Sequence, residues 1–256
     1  MATPSALILR SPGANCDIET QFAFEQAGAI ADRVHINRLR EQPALLHKYQ
    51  ILVIPGGFSY GDDVAGGKIL ANQLRHLLAE TIQEFRDLDR LILGICNGFQ
   101  ALLKAGLIVP PDEDGPLVTL THNDSGRYED RWVHLSVNAD KSPFLVDDAP
   151  MYLPVAHGEG KIKYREEWIG MGLTQSGQAL LKYVGPDGKP GDFPVNPNGS
   201  EEHTAGLCDA TGRVFGLMPH PERYVLPTHH PRWTRLGLSE EPDGLRIFRN
   251  AVQYFE

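Results

Sequence analysis

Leu91-Ile92-Leu93-Gly94-Ile95-Cys96-Asn97-Gly98-Phe99-Gln100 compresses a strand, a sharp turn and the start of a helix into one string. Leu91–Ile95 is a continuous apolar run, the pattern of a strand buried on both faces. Gly98–Ala105 then places apolar residues at helical spacing. Between the two the chain must fold back tightly, and Gly94 and Gly98, flanking Cys96, leave it room. Apolar strands that alternate with helices belong to a parallel sheet covered on both faces. The same unit recurs towards the N-terminus. Ala6–Leu9 is a strand that runs into the turn Ser11–Asn15 and a helix over Ile18–Ala27. A second short strand fits Asp32–His35, and Ile51–Ile54 closes on Pro55-Gly56-Gly57 before a helix over Gly67–Thr81. These elements predict an α/β fold with a mostly parallel central sheet flanked by helices.

C-terminal to the helix the character changes. Leu117–Thr121, Arg131–Val137, Met151–Val155 and Ala179–Tyr183 read as short strands with little helix between them, hence antiparallel edge additions. Gly185–Ser200 is rich in Gly, Pro, Asn and Asp and predicts a surface loop. Two core strands, Thr204–Cys208 and Val214–Met218, and a helix over Gly244–Phe255 complete the pattern. No linker separates two self-sufficient halves, so residues 1–256 are expected to form a single domain.

Composition narrows the function. A net charge of −9 argues against a nucleic-acid partner, since phosphate binding calls for a basic surface. No apolar run is long enough to span a bilayer, and the N-terminus lacks a signal-peptide layout, so neither a membrane partner nor export is expected. Cys16, Cys96 and Cys208 form no CxxC pair, which gives no support to a zinc or thioredoxin-like site and favours a reducing, cytoplasmic setting.

Chemistry concentrates on Cys96. A strand–turn–helix elbow lifts its side chain into a cleft and sets it at a helix N-terminus, where the dipole favours the attacking thiolate. The bland alternative is one more buried thiol. A cysteine nucleophile needs a base, and Met218-Pro219-His220-Pro221-Glu222 supplies one at the end of a core strand, on the rim where Cys96 emerges. Two prolines hold the segment extended, so Glu222 projects to the same side as His220 and can orient its ring. His157 is a competing base, following a strand and close to Glu159; it could instead line the cleft and position substrate. His229 and His230 read as exposed loop residues, Cys208 as structural, and Cys16 as at most an accessory. Acyl transfer also needs oxyanion donors, and the backbone N–H groups of Gly57 and Asn97 fit that need.

Taken together, Pro55-Gly56-Gly57, Gly94–Gln100 and His220-Pro221-Glu222 resemble the class I (triad) glutamine amidotransferases, a family with a flavodoxin-like core. Arg10–Asp17, Gly56–Asp62, Asn196-Pro197-Asn198-Gly199-Ser200 and Met218–Arg223 narrow the resemblance to the branch formed by glutaminase subunits of phosphoribosylformylglycinamidine synthases, from about Leu7 to about Phe255. The resemblance implies a triad of Cys96, His220 and Glu222 that hydrolyses glutamine, with the Gln100 amide lining the glutamine pocket; a helix-capping role is the alternative for Gln100. It further implies a partner synthetase subunit that binds ATP, Mg and formylglycinamide ribonucleotide and uses the ammonia in purine biosynthesis. A small third subunit would bridge the two. No cofactor is expected on this chain, which lacks a G-x-x-x-x-G-K-[ST] phosphate loop. Another ammonia acceptor, or a regulatory subunit that binds glutamine without cleaving it, are the alternatives.

Overall fold

The computed structural model describes residues 3–256. In chain order the first half gives β1 (Ser5–Arg10), α1 (Asp17–Gln26), β2 (Ile30–His35), α2 (Ile36–Glu41), β3 (Ile51–Ile54), α3 (Lys68–Leu77), α4 (Ala79–Asp87), β4 (Leu91–Ile95) and α5 (Asn97–Lys104). The second half gives β5 (Val118–Thr121), β6 (Glu129–Val137), β7 (Met151–His157), β8 (Lys161–Tyr164), α6 (Glu167–Gln175), β9 (Ala179–Val184), β10 (Thr204–Cys208), β11 (Val214–Leu217), α7 (Trp233–Leu236) and α8 (Asp243–Gln253).

Nine strands form one sheet in the order β2-β1-β3-β4-β11-β10-β9-β6-β7. The pairings from β2 through β11 are parallel. Those from β11 through β7 are antiparallel, as the C-terminal pattern predicts. β5 and β8 pair separately as a two-stranded sheet. Every residue of β3, β4 and β11 is buried, the condition that makes their sequences apolar without alternation. Helix α5 lies close against this centre: a Cβ on Gly98 would strike the Ile54 carbonyl, and one on Gly216 would strike the Phe99 ring. Among the described residues no helix is long and apolar enough to cross a membrane.

Three expectations need correction. The helix over Gly67–Thr81 is two helices, because Leu78 leaves helical geometry (φ −128°, ψ 8°) and turns both Leu74 and Ile82 into the core. The antiparallel half does contain helix: α6 carries Gly170 and Gly172, which weaken its pattern in sequence. Gly170 is there for space, since a Cβ would lie 2.7 Å from the Tyr164 ring. His230 is not a free loop side chain. Its ring packs 5.6–5.8 Å from those of Trp132, Tyr152 and Tyr224, and pins the segment after Leu226 onto β6 and β7. His229 is exposed, as expected.

Candidate active site

Strand β4 delivers Cys96 to the carboxyl rim of the parallel strands in a backbone conformation that L-residues rarely adopt (φ +49°, ψ −104°). Such strain persists only where the surroundings impose it. Here the Cys96 N–H donates to Leu217 O at 2.8 Å, holding the turn in the β4–β11 ladder, and the Gln100 N–H donates to Cys96 O at 3.0 Å, starting α5 at once. Gly94 and Gly98 are forced by the fold-back, since a Cβ on Gly94 would sit 2.9 Å from the Gly98 carbonyl. Cys96 is 5% exposed.

The same ladder places His220. β11 ends at Leu217, and the rigid Pro219–Pro221 segment brings His220 in beside the elbow, its N–H donating to Pro154 O at 2.8 Å. His220 Nδ1 lies 2.6 Å from Glu222 Oε1, and both side chains are buried. A carboxylate there accepts the Nδ1 hydrogen bond and fixes the tautomer, leaving Nε2 to exchange protons; Nε2 has no hydrogen-bond partner among the described residues. Burial alone would push this imidazole down, but the charges of Glu222 and of a Cys96 thiolate outweigh it and hold His220 well above the ordinary histidine range.

The predicted oxyanion donors sit on two segments, Gly57 in the turn after β3 and Asn97 directly after Cys96. Gly57 takes φ +138°, and a Cβ there would lie 2.6 Å from Asn15 N and 2.7 Å from Gly13 O. Gly56 packs on the base itself, because a Cβ would meet His220 Cε1 at 2.9 Å. The turn after β1 clamps this strand end, with Phe58 N donating to Gly13 O at 2.9 Å and Cys16 N to Gly56 O at 3.3 Å. Asn97, as the first residue of α5, keeps a backbone N–H with no helical acceptor. Its side chain is fully used: Oδ1 accepts from Ser59 N (3.0 Å), and Nδ2 donates to Asp62 (2.9 Å) and Gln100 Oε1 (2.8 Å).

Gln100 and His157, expected at the glutamine pocket, both stand near the elbow, but their polar atoms are engaged within the protein. Gln100 bridges Asn97 to Glu159 O, to which its Nε2 donates at 2.6 Å. His157 Nδ1 meets Asn123 Oδ1 at 3.1 Å, and Asn198 Nδ2 meets Nε2 at 3.4 Å. Burial, reinforced by the nearby His220, pushes His157 down to about 3, so it stays neutral. With both nitrogens occupied, its ring has no nitrogen free to take up a proton. Cys208 is buried on β10, its thiol pushed up to about 12 by burial and Asp209.

Several site residues escaped sequence reasoning. Asp62 ties the 58–67 segment to Asn97 and to Gly67 N (3.0 Å). Glu159 Oε2 accepts from Gly66 N (3.0 Å), and Lys104 Nζ donates to Gly66 O (2.6 Å). Asn123 and Asn198 build the His157 network. The strings Phe58-Ser59-Tyr60-Gly61-Asp62 and Asn196–Ser200 marked these segments without revealing what their side chains hold.

A family model described as a CobB/CobQ-like glutamine amidotransferase domain matches residues 3–255. The phosphoribosylformylglycinamidine synthase subunit PurQ of Dehalococcoides mccartyi is 48% identical over 256 residues, covering 99% of this chain and 98% of that one. Its namesake from Methanococcus maripaludis (strain S2) is 40% identical over 266 residues, covering 98% and 97%. A chain in the structure of PurLQS from Thermotoga maritima superposes with a TM-score of 0.77 at 30% identity, over 100% of both chains.

Proposed function

The chain belongs to the CobB/CobQ-like glutamine amidotransferases, and from that premise we propose how its residues divide the work of glutamine hydrolysis. It is the glutaminase subunit of phosphoribosylformylglycinamidine synthase, an enzyme of purine biosynthesis, and acts with a synthetase partner. The observation that carries the residue assignment is the strained Cys96 elbow beside a buried His220–Glu222 pair at 2.6 Å.

Cys96 transfers its proton to His220 Nε2, and the thiolate attacks the side-chain carboxamide carbon of glutamine. The carbonyl oxygen takes up the electron pair and is held by the Gly57 and Asn97 N–H groups, preorganised donors for a charge that develops only in the transition state. As the tetrahedral species collapses, the C–N bond breaks and His220 gives its proton to the leaving nitrogen. Ammonia departs and a γ-glutamyl thioester remains on Cys96. His220, neutral again, takes a proton from water; the hydroxide adds to the thioester, the C–S bond breaks as His220 returns the proton to the Cys96 sulfur, and glutamate leaves. Glu222 keeps its proton-free form throughout and stabilises the imidazolium. Gln100 and His157 shape the pocket wall. The partner synthetase carries ATP, Mg and formylglycinamide ribonucleotide, spends the ammonia on the amidine, and is joined by a small third subunit. Reaction with a glutamine-mimicking diazoketone, read by intact mass and peptide mapping, tests this. One adduct on Cys96, blocked by glutamine and absent in Cys96→Ser, is the expected result; no adduct in a competent complex would overturn the reading.

A further inference from the structure

Cys16 has no part in that mechanism, yet its thiol is 1% exposed and stands against the triad. Its sulfur, a ring nitrogen of His220 and a carboxylate oxygen of Glu222 all lie within 4.8 Å of one another. Gly56 forms a common floor: a Cβ there would be 2.9 Å from His220 Cε1 and 3.3 Å from Cys16 Sγ, so the thiol and the ring pack on the same glycine. The second oxygen of Glu222, Oε2, is buried without a hydrogen-bond partner. A sulfur, an imidazole nitrogen and an orphaned carboxylate oxygen make a donor set of the borderline-soft kind that Zn²⁺ selects. Cys16 lies far in sequence from the adjacent His220–Glu222 pair, which is why cysteine spacing gave no sign of the cluster.

We propose that Cys16, His220 and Glu222 form a binding site for a thiophilic divalent ion, Zn²⁺ above all, and that occupation switches the glutaminase off. Zinc holds sulfur at about 2.3 Å and nitrogen or oxygen at about 2.0–2.2 Å. The 2.6 Å His220–Glu222 contact would therefore open slightly and the thiol close in, shifts within reach of side-chain rotation. The thiol and the ring nitrogen that takes the ion each release a proton to solvent on binding, because metal ligands must be deprotonated. The thiol now donates to Asn15 Oδ1 at 3.3 Å and accepts from Arg223 at 3.5 Å; the half-buried guanidinium would give way and opposes the ion by its charge. Once the ion has taken the imidazole and its orienting carboxylate, no base is left for Cys96. This site differs from the ordinary inhibition of cysteine enzymes through their nucleophile, because Cys96 is not a ligand.

The site stands on geometry alone, whereas its effect on turnover rests on the glutaminase reading. Zn²⁺ is titrated into full-length Cys96→Ser against a chromophoric chelator. One ion per chain is expected, with affinity at least tenfold weaker after adding Cys16→Ala. Co²⁺ in place of zinc should give a thiolate-to-metal charge-transfer band in Cys96→Ser that disappears with Cys16→Ala. Arg223→Met, which keeps all three ligands and removes the opposing charge, should tighten binding severalfold and covers the case of a Cys16 variant that fails to fold. In the complex with the synthetase, the zinc concentration for half-inhibition should rise at least tenfold in Cys16→Ala. Loss of binding in Cys96→Ser, or unchanged affinity in a folded Cys16→Ala, would overturn the site. Binding through Cys16 with full turnover would overturn the switch. A metal-free complex without glutaminase activity would instead strike the earlier reading.

Discussion

Cys96 Sγ lies 3.8 Å from the carbonyl oxygen of Ala156, although four strands separate β4 from β7 in the sheet. The antiparallel half therefore curls over the carboxyl rim of the parallel half, and the end of β7 becomes a wall of the site. Pro154 on the same strand accepts the His220 N–H at 2.8 Å, so one segment touches Cys96 and His220 together. Placement of that wall depends in turn on the network beyond it.

Asn198 is the hub of the network. Its Nδ2 donates to Gly160 O (2.9 Å) and meets Tyr183 OH (3.3 Å) and His157 Nε2 (3.4 Å), and its Oδ1 accepts from Ser200 N (3.0 Å) and Oγ (2.7 Å). Asn198→Ala leaves several buried groups unpaired, each worth about 1–3 kcal/mol. The melting temperature should fall by about 2–4 °C for each kcal/mol lost, and kcat should fall with it as the β7 wall relaxes. Calorimetry and steady-state glutaminase assays check this; wild-type values for both would show the network to be idle.

Glu222→Gln should keep the shape of the triad and lose its charge. The raised His220 titration then falls, because burial continues to press it down while the carboxylate no longer supports the imidazolium. Turnover should drop by about 10⁴-fold, the scale seen when a triad's orienting carboxylate is removed. Imidazole NMR across a pH series and kcat measured on the same variant are the test. An unmoved His220 titration would mean that Glu222 does not govern the base.

The elbow allows a sharper test of packing. Gly98→Ala would drive a Cβ into the Ile54 carbonyl where α5 crosses β3, with backbone on both sides and nothing flexible to yield. Overpacking of this kind costs about 1–3 kcal/mol. The variant should melt several degrees lower and react with the diazoketone at least tenfold more slowly, since the same shift displaces Cys96. Gly172→Ala meets no atom within 4 Å and serves as the neutral comparison.

Local chemistry was legible in the sequence wherever it is carried by neighbours in the chain. The apolar run into Cys96, the Gly94 and Gly98 spacing, and the proline-stiffened His220–Glu222 segment announce an elbow and a base because strand, turn and charge pair are short-range features. The parallel strands were legible because burial on both faces leaves no alternation. What lay hidden is long-range: that β7 returns to Cys96, that Gln100 spends its amide on Glu159, that Cys16 meets Glu222. Those contacts depend on how far the sheet curls, and no period or motif records that angle. Helix α6 was missed for a different reason, since Gly170 is chosen for the Tyr164 ring against helix propensity.

His157 supplies a signed prediction about acid. Its folded value, about 3, lies below the ordinary histidine value of about 6.5, so the unfolded chain binds a proton in that interval which the folded chain refuses. Stability from a neutral His157 is therefore complete above about pH 6.5 and is lost as pH falls towards 3, by about 1.4 kcal/mol per pH unit. His220 runs the other way, its raised value contributing stability below about pH 6.5 that fades as pH rises. His157→Gln keeps a group able to bond Asn123 and Asn198 and removes the titration. Denaturant unfolding of both chains between about pH 6.5 and pH 4 should show the variant losing less stability, by close to one proton's worth of slope. Parallel curves would mean that the folded protein admits a proton at residue 157, and the neutral, fully engaged imidazole behind the Cys96 wall would have to be abandoned.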